Sequence, residues 1–243
     1  MKIKIHDSTY IFLLLSFLSG YFEYMFILLI IIYVHEMGHY IFAMLNNVKI
    51  SKLIIYPFGG ITIFDSDLNI SIKKESLVLI GGILFQVLFF LLINHIYIKG
   101  NITAHVYNIY KEINYILISF NFMPIIPLDG GKLLNIILDK LTTYKKSMYI
   151  TILISFIFVM YFLIKKRTLF SLVITMFLIK EIIIEYKNIN YKYNKFLLER
   201  YLNNYNYKKI KIIKNINDFK RGYYHVINNE FEEKVLYKIF KMI

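Results

Sequence analysis

The chain has 243 residues and a formal net charge of +13, and 58% of its residues are hydrophobic. This apolar content exceeds what a soluble core requires, so the composition excludes an ordinary soluble domain and indicates a membrane protein. Cysteine is absent, which excludes a disulfide framework, a thiol nucleophile and a cysteine-based zinc finger, so any metal has to be bound by histidine and carboxylate.

Apolar segments recur along most of the chain. A membrane-spanning helix requires about 20 mostly apolar residues. The candidate spans are residues 8–21 (the shortest), 24–46, 75–98, 104–124, 147–164 and 168–186. No signal-peptide cleavage site follows the first of them, so we interpret it as retained. The sequence therefore predicts an α-helical multi-pass membrane protein with about six transmembrane helices.

Six spans place both termini on the same side of the membrane, and the lysines and arginines indicate which side. They are more frequent at the N-terminus and in the second and fourth connections than in the first and third. The fifth connection, with Lys165, Lys166 and Arg167, opposes this trend. Because cytoplasmic connections carry the excess of positive charge, we expect both termini to be cytosolic.

Two stretches do not fit simple spans. Residues 48–64, VKISKLIIYPFGGITIF, alternate in polarity and contain a proline and a glycine pair, which predicts a hairpin or a re-entrant segment. Residues 121–131, NFMPIIPLDGG, contain two prolines and a glycine pair, so a helix is expected to break there. Irregular backbone at membrane depth is tolerated only where protein buries it or where it lines a wet cavity. Both breaks therefore indicate a cavity.

The second span contains HEMGH at residues 35–39. In a helix His35 and His39 share a face and can bind one metal ion, while Glu36 projects beside them. The alternative is that the histidines only form hydrogen bonds across a helix bundle. We favour the metal site because a carboxylate near mid-bilayer costs roughly 2.5 to 3.5 kcal/mol to insert without a compensating role.

A catalytic zinc site uses three protein ligands, so a third one has to come from elsewhere in the chain. His6 lies in the N-terminal arm, His95 and His105 lie near the predicted outer surface, and His225 lies in the tail. Each is more simply interpreted as an interfacial or surface histidine. Asp129 follows an apolar segment inside the broken proline and glycine stretch, which makes it the candidate among the carboxylates.

HEMGH together with NFMPIIPLDGG resembles the site-2 protease family of intramembrane metallopeptidases, which pairs H-E-x-x-H on one helix with N-x-x-P-x-x-x-L-D-G on a later one. The resemblance implies that His35, His39 and Asp129 bind one Zn²⁺ ion per chain and that Glu36 is the general base. It also implies that Asn121 helps to orient the substrate. The positions that shape the second motif are Asn121, Pro124, Pro127, Leu128 and Gly130.

Further residues resemble the stage IV sporulation FB subfamily, which cleaves pro-sigma-K in endospore formers: KIH near the start, PFGG at 57–60, and the second motif. The resemblance implies a membrane-associated sigma-factor precursor as substrate, inhibitory membrane proteins as partners, and the membrane surrounding the forespore as location. The chain departs from the family at residues 81–83, where Gly-Gly-Ile replaces the usual A-G-P. We expect this glycine pair to serve close helix packing.

Residues 187–243 carry 13 Lys/Arg against 5 Asp/Glu, and this excess indicates either a location near anionic lipid or biased codon usage. The segment has no nucleic-acid-binding motif. FLLER at 196–200 and RGYYH at 221–225 resemble the subfamily region in which longer members carry a cystathionine-β-synthase-type (CBS) domain. This tail is short for that domain and lacks an obvious nucleotide loop, which argues against ATP binding. We expect a membrane-embedded metalloprotease domain over 1–186 and a small cytosolic α/β regulatory tail over 187–243.

The sequence thus predicts an intramembrane zinc endopeptidase that acts by Glu-assisted attack of water on a peptide bond within a lipid bilayer. Two other functions are possible for the same residues: a metal-ion transporter that uses the His/Asp cluster, and an inactive regulatory scaffold. The segment 48–64 either binds an extended substrate strand by β-addition or only connects two helices.

Overall fold

The computed structural model describes residues 2–48, 50–56, 59–64, 68–165, 168–203, 205, 207 and 209–241. The chain divides into two compact units. The N-terminal unit comprises Met1–Ser66 and Lys73–Asn121, and the C-terminal unit comprises Asp67–Ile72 and Phe122–Ile243.

The N-terminal unit combines four helices with a small sheet. In chain order its elements are β1 (Lys2–Ile5), α1 (Asp7–Leu18), α2 (Phe22–Leu45), β2 (Ile50–Tyr56), β3 (Gly59–Phe64), α3 (Ile72–Ile98) and α4 (Ala104–Asn121). Strand β2 is central, parallel to β1 and antiparallel to β3, with Ile55 opposite Gly60. The hairpin predicted for residues 48–64 is therefore present, although Pro57 and Phe58 of the PFGG motif lie outside the described residues.

Three of the described helices are long and apolar enough to cross a membrane, namely α2, α3 and α6 (Tyr144–Lys165). Helix α1 is apolar but has only 12 residues. The mainly helical membrane fold is confirmed, whereas the count of six spans stays a prediction.

Helices α2 and α3 pack backbone against backbone. A Cβ atom added to Gly38 would lie 2.4 Å from the carbonyl oxygen of Gly81, and one added to Gly81 would lie 2.7 Å from the ring of Phe42. Real side chains do not tolerate such distances, so glycine at both positions permits the close approach. The expectation that the glycine pair serves helix packing is met by Gly81.

The C-terminal unit contains four helices and a second sheet. Its elements are α5 (Asp129–Leu141), α6, α7 (Leu169–Leu202), β4 (Ile210–Ile213), a 3₁₀ turn (Ile216–Asp218), β5 (Tyr224–Ile227), β6 (Glu230–Phe231) and α8 (Glu232–Phe240). Strand β5 is parallel to β4 and antiparallel to β6. Helix α7 passes residue 187 without interruption, and the proposed division of the chain at that residue stays a prediction.

Strands β4 to β6 and helix α8 pack on the C-terminal half of α7. Phe196 of the FLLER stretch is fully buried, as is Phe219, and both belong to one apolar core with Leu236 of α8. Within the same unit, the side-chain amide of Asn69 donates to the carbonyl oxygen of Phe196 at 3.0 Å. The apolar residues of this core come from distant parts of the sequence.

The FLLER and RGYYH stretches meet in a buried ionic cluster. The Arg200 guanidinium donates to both carboxylate oxygens of Glu232, at 2.6 Å and 3.0 Å. His225 is fully buried. Its Nδ1 lies 3.1 Å from Glu232, and its Nε2 accepts from the backbone N–H of Lys220 at 3.0 Å. The interpretation of His225 as a surface histidine is therefore wrong, because the fold of the tail buries the ring against Glu232 and against Arg200, which comes from α7.

These contacts shift two titrations in the folded tail. Burial lowers the pKa of His225, because the charged imidazolium loses its hydration. Burial alone would raise the pKa of Glu232, but hydrogen bonds from His225 and Arg200 outweigh it and leave that pKa below its ordinary value. The cluster thus contains a carboxylate that is ionised near neutral pH and a histidine whose neutral form burial favours.

Candidate metal centre

His35, Glu36 and His39 lie on consecutive turns of α2 and form one compact cluster. Their side chains are buried, and one potential ligand atom from each lies within 4.8 Å of the others. The helix is regular through this region, so the spacing of four residues brings both imidazoles to the same face. The predicted cluster of the first motif is therefore present.

The tautomers of both histidines follow from what their Nδ1 atoms contact. His39 Nδ1 lies 2.8 Å from the backbone carbonyl oxygen of Val78, which can only accept, so this nitrogen carries hydrogen. His35 Nδ1 lies 3.0 Å from the Oε1 atom of Gln86, which likewise accepts. Each ring therefore keeps an unprotonated Nε2, as metal-binding histidines do when the other nitrogen donates to a carbonyl group.

The two Nε2 atoms are 3.1 Å apart. In these neutral tautomers each Nε2 carries a lone pair and has no hydrogen to donate to the other nitrogen. Two imidazole lone pairs at this separation can be shared by one cation. The donor set of two imidazole nitrogens with a neighbouring carboxylate fits Zn²⁺, which prefers nitrogen and oxygen ligands where cysteine is absent.

Two glycines outside α2 form the walls of the cluster. A Cβ atom on Gly82 of α3 would lie 2.5 Å from His39 Nε2 and 2.9 Å from His35 Cε1. A Cβ atom on Gly60 of β3 would lie 2.3 Å from Glu36 Cγ and 2.5 Å from its Oε1. Bare backbone thus leaves room for the imidazoles on one side and for the carboxylate on another.

The second motif forms the turn between α4 and α5. Helix α4 ends at Asn121 and α5 begins at Asp129, so the predicted break is present. A Cβ atom on Gly130 would lie 2.3 Å from the carbonyl oxygen of Phe122. The loop therefore folds back closely onto the first turn of α5, which explains a glycine directly after Asp129.

The loop that precedes Asp129 is anchored to α6. The backbone N–H of Ile126 donates to Ser155 Oγ at 3.0 Å, and the peptide bond between Ile126 and Pro127 is cis. Pro124 contributes its carbonyl oxygen, which accepts from Ser155 Oγ at 3.4 Å. The Ser155 hydroxyl on α6 thereby forms hydrogen bonds with backbone groups of Pro124 and Ile126. In a regular helix these groups would form hydrogen bonds with other backbone groups.

Asp129 is buried, and its Oδ1 lies 3.3 Å from the Lys132 ammonium one turn later. It stands in the first turn of α5, where the helix dipole favours a negative charge. Asp129, Pro124, Pro127 and Gly130 belong to the C-terminal unit, and Asn121 is the last residue of the N-terminal unit. The roles of Asp129 as third ligand and of Asn121 in substrate orientation stay predictions.

Three contributors to the metal cluster were not predicted as site residues. Gln86 and the Val78 carbonyl have no local sequence signal, because their role depends on how α3 packs against α2. Gly82 had a signal, the departure from A-G-P, but it was attributed to helix packing. The structure places it against the imidazole rings.

Comparisons with known proteins agree with this geometry. Residues 23–101, which include all of α3 and all of α2 except Phe22, match Peptidase family M50. The chain is 29% identical to stage IV sporulation protein FB of Bacillus subtilis (strain 168) over 217 aligned positions, and the alignment covers 83% of this chain and 72% of that protein. It is 32% identical to a zinc metalloprotease of Methanocaldococcus jannaschii over 161 aligned positions, which cover 60% of this chain and only 45% of that relative.

The fold is also similar to a solved structure, the site-2 protease from Methanocaldococcus jannaschii. The TM-score is 0.60 at 24% sequence identity, and the similarity covers 75% of this chain and 89% of the other. At this identity the likeness concerns the fold.

Proposed function

We propose that the chain is an intramembrane zinc metalloprotease of the site-2 protease type and that it cleaves a membrane-associated sigma-factor precursor of the pro-sigma-K type during sporulation. In this proposal the cluster serves peptide hydrolysis and not ion transport. The observation that carries the substrate proposal is the similarity to stage IV sporulation protein FB over 83% of the chain.

The catalytic step that we propose uses the first motif for activation and proton transfer. His35 and His39 would hold Zn²⁺ through Nε2, with Asp129 as the third ligand. When bound, the ion would supply electrophilic activation, since it would lower the pKa of a bound water toward about 7 and polarise the peptide carbonyl. Glu36 accepts a proton as the water oxygen attacks the carbonyl carbon. It returns that proton to the nitrogen when the C–N bond breaks.

A helical substrate has to present extended backbone before water can attack it. We propose that it pairs with β3, because this strand brings Gly60 against Glu36 and, among the described strands, β3 pairs with β2 only. Strand β2 pairs with β1 on one edge and with β3 on the other. The edge of the hairpin that would bind an extended substrate therefore belongs to β3. Addition of a strand would satisfy the substrate backbone in a water-poor site.

The absence of cysteine offers a direct test of this pairing. Thr62→Cys in β3 should form a disulfide with a cysteine placed beside the scissile bond of the substrate, in a Glu36→Gln background that prevents turnover. Leu14→Cys on α1, where the side chain is 60% exposed, is the control and should not crosslink. Equal crosslinking at both positions would exclude specific strand addition.

The remaining parts of the proposal concern location and regulation. The distribution of lysine and arginine favours cytosolic termini, and the similarity to a sporulation protein favours the membrane surrounding the forespore together with membrane inhibitor proteins. The substrate proposal is tested by co-expressing the chain with pro-sigma-K and with the same sigma factor lacking its pro-segment. Shortening of the first only is expected, and an unshortened precursor in the absence of inhibitors would contradict it.

A further inference from the structure

Gln86 is the fully buried polar side chain of α3 that contacts the metal cluster. Its Oε1 lies 3.0 Å from His35 Nδ1. Its Nε2 lies 3.1 Å from Asn114 Oδ1 and 3.3 Å from the Asn114 backbone oxygen, both on α4. An amide in an apolar helix is costly unless it is hydrogen-bonded, so the full set of contacts indicates a defined task.

The orientation of the Gln86 amide is fixed by chemistry. The backbone oxygen of Asn114 can only accept hydrogen bonds, so the group that faces it has to be the NH₂ of Gln86. The carbonyl oxygen of the same amide then faces His35, whose Nδ1 has to donate. The relay from Asn114 through Gln86 thereby selects the His35 tautomer with an unprotonated Nε2.

We propose that Gln86 is a positioning residue for the metal ligand His35 and that Asn114 holds Gln86 in place; this inference rests on the metalloprotease function proposed above. The backbone of Val78 orients His39, whereas a side chain orients His35. Asn114 lies on the helix that ends at Asn121, the first residue of the second motif. The relay therefore links the helix of the first motif to the helix that leads into the second.

A purely structural role for Gln86 would be to hold α3 and α4 together. The chain offers a matched control for that role, because Tyr107 of α4 donates to Asn94 Oδ1 of α3 at 2.9 Å. Asn94 and Tyr107 join the same two helices, and neither is part of the metal cluster. Loss of either hydrogen bond removes an interhelical contact, but only loss of the Gln86 contact deprives His35 of its acceptor.

The experiment measures zinc affinity of the full chain in detergent by competition with a chromophoric chelator. The variants are Gln86→Met, which keeps side-chain length without the amide, and Asn94→Leu. Substitutions of residues that support metal ligands typically reduce affinity by about 10- to 100-fold, and we expect a loss in that range for Gln86→Met. Asn94→Leu should bind zinc as the wild type does.

A third variant tests the order of the relay. Asn114→Leu removes the side-chain acceptor but leaves the backbone oxygen, so it should reduce zinc affinity less than Gln86→Met does. Wild-type affinity in Gln86→Met would overturn the inference, as would an equal loss in Asn94→Leu or a larger loss in Asn114→Leu. If the wild type itself binds no zinc, the proposed function fails instead, and the two failures are distinguishable.

Discussion

Gly60→Ala should impair catalysis without removing the metal. The added Cβ would lie 2.3 to 2.5 Å from three atoms of the Glu36 side chain, whereas carbon atoms pack favourably at about 3.5 to 4.0 Å. The carboxylate therefore has to move by roughly 1 Å, and a displacement of that size can reduce a rate by about 10²-fold. This corresponds to about 2.7 kcal/mol of transition-state stabilisation.

The neighbouring glycine is the matched control for this substitution. A Cβ on Gly59 would meet no atom within 4 Å, so Gly59→Ala should cleave like the wild type. The assay is the rate of precursor cleavage in proteoliposomes, with bound zinc measured in each variant. Cleavage by Gly60→Ala at the wild-type rate, with zinc bound, would refute the placement of Glu36 against β3.

Further substitutions test the metal ligands and the tail. Gly82→Ala should lower zinc content, because its Cβ would lie 2.5 Å from His39 Nε2; undiminished zinc in metal analysis would contradict the site geometry. Asp129→Asn should weaken zinc binding in a chelator competition, whereas Asp139→Asn, at another buried aspartate of α5, should not; equal affinities in the two variants would exclude Asp129 as a ligand. The tail should lose stability as the pH falls below about 6.5, the ordinary pKa of histidine. Both His225 and Glu232 have lowered pKa values, so the unfolded tail binds more protons. The opening equilibrium of β5 and α8, obtained from hydrogen exchange of the full chain after division by the intrinsic exchange rate at each pH, should rise as the pH falls through that range. An opening equilibrium that stays constant would argue against the buried cluster.

The sequence was informative where function depends on local pattern. The spacing of His35 and His39 predicted a shared helix face, and the glycines and prolines of residues 48–64 and 121–131 predicted the hairpin and the helix break. Each of these inferences needed only the geometry of one element or turn. The helix spacing alone was sufficient to bring His35, Glu36 and His39 together on α2.

Features that depend on packing between distant segments could not be predicted. Gln86 has no local pattern that would connect it with His35, and strand β1 joins β2 from nearly 50 residues away. Helix α5 lies within the fourth predicted connection, since its 13 residues fall short of the length that a span requires. The contacts among Arg200, His225 and Glu232 arise only once the tail has folded onto α7.

In the proposed mechanism Glu36 transfers protons beside a metal held by its neighbouring histidines. The most direct test is cleavage of a co-expressed precursor by the wild type and by Glu36→Gln, with bound zinc determined in both purified proteins. Glu36→Gln should retain zinc and lose cleavage, because the amide cannot accept the proton. Cleavage at the wild-type rate by Glu36→Gln would contradict it.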